Sequence, residues 1–281
     1  MKLVTLPLVV LLALVSWASG QTTSGQWTYM DSGTTITAST ANGAVTIPSE
    51  LEGYAVTTVG RGGPIFAYNN TSVTSVSIPE SVTSIAPTAF YGCNGMTSVT
   101  IGNSVTYIGD GAFYGCTGLT SLSIPDSVTI IGNGAFYDCT GLTSVNIPHS
   151  VTSIGFGAFR GCSGLTNVII PDSVTSIVNS LFSDCTGLTS VNIPDGVTSI
   201  ELLAFYGCTG LTSVSIPDSV TSIGEKAFFG CPNLKEVNIP LRFLSVLAQI
   251  FDPEVASRLM IQLQEEANPP WWKRILRIFQ P

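Results

Sequence analysis

The apolar positions of this chain recur with a single period. From Val73 to Pro240 aliphatic, aromatic and small polar residues repeat every 23 positions. One copy reads Leu119-Thr-Ser-Leu-Ser-Ile124, Pro125-Asp126-Ser127, Val128-Thr-Ile-Ile131, then a glycine-punctuated stretch around Ala135-Phe136-Tyr137 and Cys139. In the first piece Leu122 and Ile124 alternate with Ser121 and Ser123, the period-two signature of a half-buried strand with its serines outward. Pro125-Asp126-Ser127 predicts a turn, because proline fixes φ and Asp and Ser bond their own backbone. A second short extended piece follows at Val128 to Ile131, and one helical turn is expected around Ala135 to Tyr137.

Full-length units begin at Val73, Met96, Leu119, Leu142, Leu165, Leu188 and Leu211, with a partial unit from Leu234 to Pro240. Asn42 to Ser72 is a stretched first unit, with Ile47-Pro48 and Phe66 in register and Asn70 where later units carry cysteine. A fixed period of about 20 to 29 residues with one strand per unit signals a solenoid, in which each unit buries its apolar face only against its neighbours. Its first strands must then lie parallel, and parallel crossovers are right-handed in nearly all cases. Roughly eight coils about 4.8 Å apart would make a rod or shallow arc some 40 Å long.

The period turns single residues into columns. Phenylalanine recurs at 90, 113, 136, 159, 182, 205 and 228, and cysteine at 93, 116, 139, 162, 185, 208 and 231. Both columns are expected in the core, the cysteines as small buried hydrophobes with parallel side chains. An odd number of cysteines argues against complete pairing into disulfides. The outward strand positions give the most regular surface: Ser98, Ser121, Ser144, Asn167, Ser190 and Ser213, with Ser123, Asn146, Asn192 and Ser215 beside them. These ten residues are the candidate binding face.

The ends break the period. Met1-Lys2, the apolar run Leu3 to Trp17 and Ala18-Ser19-Gly20 predict a secretory signal over residues 1–20, with an uncleaved N-terminal anchor as the other reading. Residues 21–41 contain Trp27 to Thr37, which alternates around Asp31-Ser32-Gly33 and predicts a β-hairpin cap on a solenoid spanning 42–240. Over 241–281 the period becomes helical. Phe243, Leu244, Leu247, Ile250 and Phe251 share a face, and Asp252-Pro253 opens a further helix. Trp271 to Phe279 is a basic amphipathic stretch that either covers the last coil or meets a membrane surface.

Charge narrows the function. The formal net charge is −8, and from Gly62 through Glu225 the sole basic residue is Arg160, against ten Asp or Glu. Such a surface has no basic stripe for phosphate backbones, so nucleic acid is not an expected partner. The single histidine, His149, takes a turn position where other units carry Glu80, Asp126, Asp172, Asp195 and Asp218. No G-x-S-x-G elbow accompanies the many serines. An enzyme is therefore not expected, and no cofactor is implied. Metal binding would need converging ligands; Asp172, Asp195 and Asp218, one coil apart, are the candidates considered, and a solvated turn ladder explains them without a ligand.

Leu119-Thr-Ser-Leu-Ser-Ile-Pro, Ser127-Val-Thr-Ile-Ile-Gly and Ala135-Phe-Tyr-Asp-Cys, repeated in register, resemble the BspA-type leucine-rich repeat, and Val45-Thr-Ile-Pro through Gly53-Tyr-Ala-Val-Thr-Thr-Val-Gly is similar to that family's first coil. The resemblance covers about Asn42 to Pro240. It implies a leucine-rich-repeat-like solenoid, β-rich with a parallel sheet of short strands, secreted or displayed at the cell surface. Adhesion or protein binding is the implied role, with extracellular or surface proteins as partners and glycans as a further class. A passive spacer of the cell envelope is the alternative.

Overall fold

The computed structural model describes residues 22–30 and 35–267. The expected signal over 1–20 and the stretch Trp271 to Phe279 lie outside these residues. The fold is a β-solenoid of about nine turns. The face strands are Gly43–Thr46, Val73–Ser77, Ser98–Thr100, Ser121–Ser123, Ser144–Asn146 and Asn167–Ile169, joined in one parallel sheet, then Ser190–Asn192, Ser213–Ser215 and Glu236–Asn238 in another. Register follows the sequence period, with Ser98 opposite Ser121 and Val145 opposite Val168. Two-residue strands such as Ile130–Ile131 and Ser153–Ile154 build a second parallel sheet.

The stretch expected as one helical turn takes a different form. Its backbone N–H groups alternate: Phe113 and Gly115 donate to Ala135 and Tyr137 of the next coil, both at 2.7 Å, while Tyr114 and Cys116 donate three residues back to Gly111 (3.0 Å) and Phe113 (3.2 Å). A helix cannot form because two positions per coil are left-handed, for example Gly134 at φ +55° and Asp138 at φ +54°. Each turn is thus half local structure and half sheet-like ladder.

Inside this frame the phenylalanine spine runs unbroken from Phe66 to Phe251, and neighbouring rings from Phe90 onward are stacked with centroids 5.0–5.8 Å apart. Beside it all seven cysteines are free and buried. Each thiol from Cys116 on donates to a phenylalanine carbonyl of the preceding coil, as Cys139 Sγ does to Phe113 O at 3.2 Å. The column therefore satisfies its own polar atoms without disulfides or metal.

One interface between coils is open in the second sheet. Gly109, Gly132 and Gly155 press against the coil before them so closely that a methyl group on Gly155 would lie 2.3 Å from Asn133 N. The next residue in that column is Val178, and there the second sheet stops after Ser153–Ile154 and restarts, while the face sheet stays paired through Asn167–Ile169 and stops one coil later. The bonds from Gly132 N to Ile108 O (2.8 Å) and from Gly155 N to Ile131 O (2.7 Å) have no counterpart from Val178 N to Ile154 O. Ala86 and Glu201 stand in the same column and keep the bond, Ala86 N to Val59 O and Glu201 N to Ile177 O both at 2.8 Å, so its loss goes with the β-branched Val178. The alternating turn still holds the two coils together, with Gly157 N to Asn179 O at 2.9 Å.

Both ends are covered. Strands β1 (Thr22–Ser24), β2 (Trp27–Met30) and β3 (Thr35–Ser39) form an antiparallel unit whose β3 pairs in parallel with Thr58–Val59 of the first coil. At the other end a 3-10 helix (Leu241–Val246), α1 (Leu247–Ile250) and α2 (Pro253–Ala267) close the stack. This cap imitates a further coil. Phe228 N donates to Ile250 O at 3.0 Å, Phe251 extends the spine, and the Asp252 carboxylate accepts from Gly230 N (2.9 Å) and Cys231 N (3.2 Å). Arg242 Nε donates to Val220 O at 3.1 Å, taking the place of the turn-serine hydroxyl that serves the equivalent carbonyls of Val105, Val128 and Val151.

Two outcomes follow from this packing. Burial pushes the thiols of Cys93, Cys162 and Cys231 up to about 12, and raises Cys116, Cys139, Cys185 and Cys208 as well. An unfolded thiol ionises near pH ~8.5, so the folded state holds protons that the unfolded chain releases. The stability this gives is complete below that pH and is lost as pH climbs toward the folded value, at about 1.4 kcal/mol per pH unit for each thiol. Thermal midpoints recorded against pH should be level from about 6 to 8 and fall steeply between about 9 and 11, and replacing Cys139, Cys162 and Cys185 by alanine should flatten that fall. Asp252→Ala strips two N–H groups of a charged acceptor and should cost about 2–3 kcal/mol in denaturant titration; an unchanged midpoint would mean that the cap does not hold the last coil.

Candidate functional site

The sheet fixes where each outward residue sits, since successive side chains on a strand point to opposite faces. Val99, Leu122, Val145, Val168, Val191 and Val214 are buried, and their neighbours on either side face solvent. Of the ten candidate face residues, Ser98, Ser121, Ser123, Ser144, Asn146, Asn167, Ser190, Asn192 and Ser215 are exposed and Ser213 is half-buried. They form two columns. One runs Ser75, Ser98, Ser121, Ser144, Asn167, Ser190, Ser213, and the other Ser77, Thr100, Ser123, Asn146, Ile169, Asn192, Ser215, Asn238.

Hydroxyls on this surface fall into two kinds. The threonines that precede the face serines are engaged in the stack itself: Thr97 Oγ1 donates to Thr74 O at 3.1 Å, Thr143 Oγ1 to Thr120 O at 3.3 Å, and Thr212 Oγ1 to Thr189 O at 3.1 Å. A second threonine ladder, including Thr129 to Thr106 O at 3.2 Å, does the same on the other sheet. Turn serines are also used, as Ser127 Oγ donates to Val105 O at 2.6 Å. By contrast the side chains of Ser98, Ser121, Ser123, Ser144, Asn146, Asn167, Ser190 and Asn192 make no hydrogen bond within the described residues. Ser215 Oγ accepts from Asn238 Nδ2 at 3.2 Å. Each Ser and Asn side chain can donate and accept, so the face is a preformed array of polar groups whose partners are solvent or ligand.

The sequence did not flag two further features. Ile169, 56% exposed, interrupts the polar column between Asn146 and Asn192. An outer aromatic column also runs alongside the phenylalanine spine. Tyr91, Tyr114 and Tyr137 stack at 4.6–4.7 Å with planes within 5°, Tyr68 meets Tyr91 edge-on, and the Arg160 guanidinium lies 5.5 Å from the Tyr137 ring centre. Arg160 Nε lies 3.3 Å from Asp184 Oδ2, so it is placed by a ring and a carboxylate rather than simply exposed. Burial raises the Asp138 carboxyl above its ordinary value, against the pull of Arg160. The signal for this column was present, since Tyr68, Tyr91, Tyr114 and Tyr137 recur at the 23-residue period. The rings cover one another's faces, which makes the column a second spine rather than an open aromatic platform.

His149 is exposed in its turn and makes no side-chain hydrogen bond among the described residues. Asp172, Asp195 and Asp218 are likewise exposed, and no three metal-ligating groups converge among the described residues. No described helix is long and apolar enough to cross a membrane. At the C-terminal end the face becomes concave. Two adjoining hollows of about 560 Å³ each share Asn192, Ser215 and Asn238, and one is walled by Gln262 of α2.

The description of BspA-type leucine-rich repeat regions matches residues 64–189 and 129–256. A leucine-rich repeat protein from Bacteroides ovatus, known from its crystal structure, is 28% identical with a TM-score of 0.60; the match covers 78% of this chain and 62% of that one. This chain thus spans less than two thirds of that protein. The T. pallidum leucine-rich repeat protein is also 28% identical, with a TM-score of 0.58 over 86% of this chain and 95% of that one. No curated protein matches.

If the free hydroxyls have no structural task, removing them should leave the fold untouched. Ser98→Ala, Ser121→Ala and Ser144→Ala combined should shift stability by no more than about 0.5 kcal/mol in denaturant titration. Thr120→Ala, which removes one rung of the threonine ladder, should alone cost about 1 kcal/mol.

Proposed function

The chain belongs to the BspA-type leucine-rich repeat family, and on that premise we propose that it is an exported or cell-surface module for protein binding and adhesion. Its partner lies against the serine and asparagine columns of the strand face. The observation that carries this reading is the division of hydroxyls just described: the scaffold uses its threonines and leaves its face serines and asparagines, the Ser215–Asn238 pair apart, without a partner among the described residues. Groups already fixed in a rigid sheet lose little conformational freedom on binding. Export is supported by the signal-like pattern over residues 1–20. The acidic surface favours extracellular proteins and glycans over nucleic acid. No nucleophile and base are paired around His149, which fits a module that holds rather than transforms its partner.

A passive spacer is the second reading, favoured by the near-identity of successive coils. Labelled protein presented to an array of extracellular proteins separates the two. The binding reading expects saturable capture by at least one of them, abolished by Ser121→Lys, Ser123→Lys and Asn146→Lys together at an unchanged thermal midpoint. A folded protein that captures nothing supports the spacer.

A further inference from the structure

The strand face carries a hollow of about 410 Å³ beside Asn146 and Ile169, and at its C-terminal end two larger hollows adjoin. There, Asn192, Ser215 and Asn238 form a ridge between two hollows of about 560 Å³, each within the roughly 300–1,000 Å³ of small-ligand sites. Gln262 of α2 closes the outer side of one hollow, so the cap makes a wall that no other part of the face has. From these observations we propose that this end of the face is a binding cleft for a neutral, linear glycan, a specification of ligand class that rests on the binding role assigned to the face above.

Four features select that ligand. Every polar side chain of the ridge carries both a donor and an acceptor, as a sugar hydroxyl does. The ridge repeats once per coil at about 4.8 Å, an advance similar to that of one ring of an extended glycan, so such a chain can place one ring at each coil with alternate rings presenting opposite edges. A peptide laid along the same axis advances about 3.3 Å per residue and falls out of step with the coils. Next along the column, exposed Ile169 offers an aliphatic surface between the amides of Asn146 and Asn192, suited to the C–H face of a sugar ring.

Charge and shape exclude the main competitors. Lys235 and Glu236 are adjacent in one hollow, and Asp195 and Asp218 line the other with Arg242 Nη1 3.7 Å from Asp218 Oδ1, so neither hollow carries the net positive charge that a sulfated or otherwise polyanionic chain needs. Neither hollow is lined by an aromatic side chain or an arginine, the anchors on which protein partners concentrate binding energy. A protein partner is therefore better accommodated elsewhere along the face.

Calorimetric titration of the intact protein with cellohexaose, mannohexaose, chitohexaose, the matching disaccharides and heparin tests the proposal. At least one neutral hexasaccharide should bind at least about tenfold more tightly than its disaccharide, because it engages several coils at once. Asn192→Ala with Asn238→Ala should weaken it by about tenfold or more at an unchanged thermal midpoint, whereas Ser98→Ala with Ser121→Ala should not. Absence of binding by all three hexasaccharides, binding indifferent to the asparagine pair, or a preference for heparin would each overturn it. The extracellular-protein array distinguishes the two levels of failure. Protein capture lost in the lysine variant, with no glycan bound, removes the glycan cleft and leaves the binding role standing; capture of an unglycosylated protein through Asn192 and Asn238 reassigns the cleft to protein.

Discussion

A backbone N–H that finds its acceptor one coil away is the interaction on which the other features of this molecule depend. It operates in both sheets and in every second residue of the turns, for instance from Phe136 to Ala158 O at 2.8 Å and from Gly155 to Ile131 O at 2.7 Å. Because each bond joins residues at equivalence or one position off it, the ladder fixes the register, and whatever occupies one coil is placed directly above its copy in the next. Phenylalanines become a spine, thiols become a column, and serines become a row. The hydrophobic contribution is large, but register is set by the ladder, since apolar contacts are not directional.

The fold was largely legible because that ladder leaves a periodic imprint on the sequence. The strand at Leu119 to Ile124, the proline turn after it and the phenylalanine spine all follow from alternation and recurrence. Residues whose effect depends on backbone conformation were not legible in the same way. The segment around Ala135 looks helical in composition, yet left-handed Gly134 and Asp138 divert alternate N–H groups to the neighbouring coil. Val178 is an unremarkable substitution in a list of aliphatic residues, and the second sheet breaks at its coil although Ala86 and Glu201 in the same column keep their bonds. The outer tyrosine column was visible at period 23, but its stacking is a matter of ring orientation that spacing alone does not supply.

The candidate site shows the same division. Alternation placed the face serines and asparagines outward, and the structure puts them there. Sequence could not separate serines with a partner from those without one, because the difference between Ser121 and Ser127 is the position of a carbonyl in the preceding coil. Nor could it reveal the hollows around Asn192 and Asn238, one of which is walled by Gln262 of α2. The face thus repeats its residue types more regularly than its shape, with the largest hollows beside Asn192 and Asn238.

Amide hydrogen exchange on the native protein tests the central claim most directly. If the coil-to-coil ladder carries the fold, amides of turn residues such as Phe113, Gly115, Phe136 and Asp138 should be protected as strongly as those of the sheets, with a local loss of protection at Thr175 and Val178. Rapid exchange throughout the turns, or uniform protection across Val178, would contradict the account.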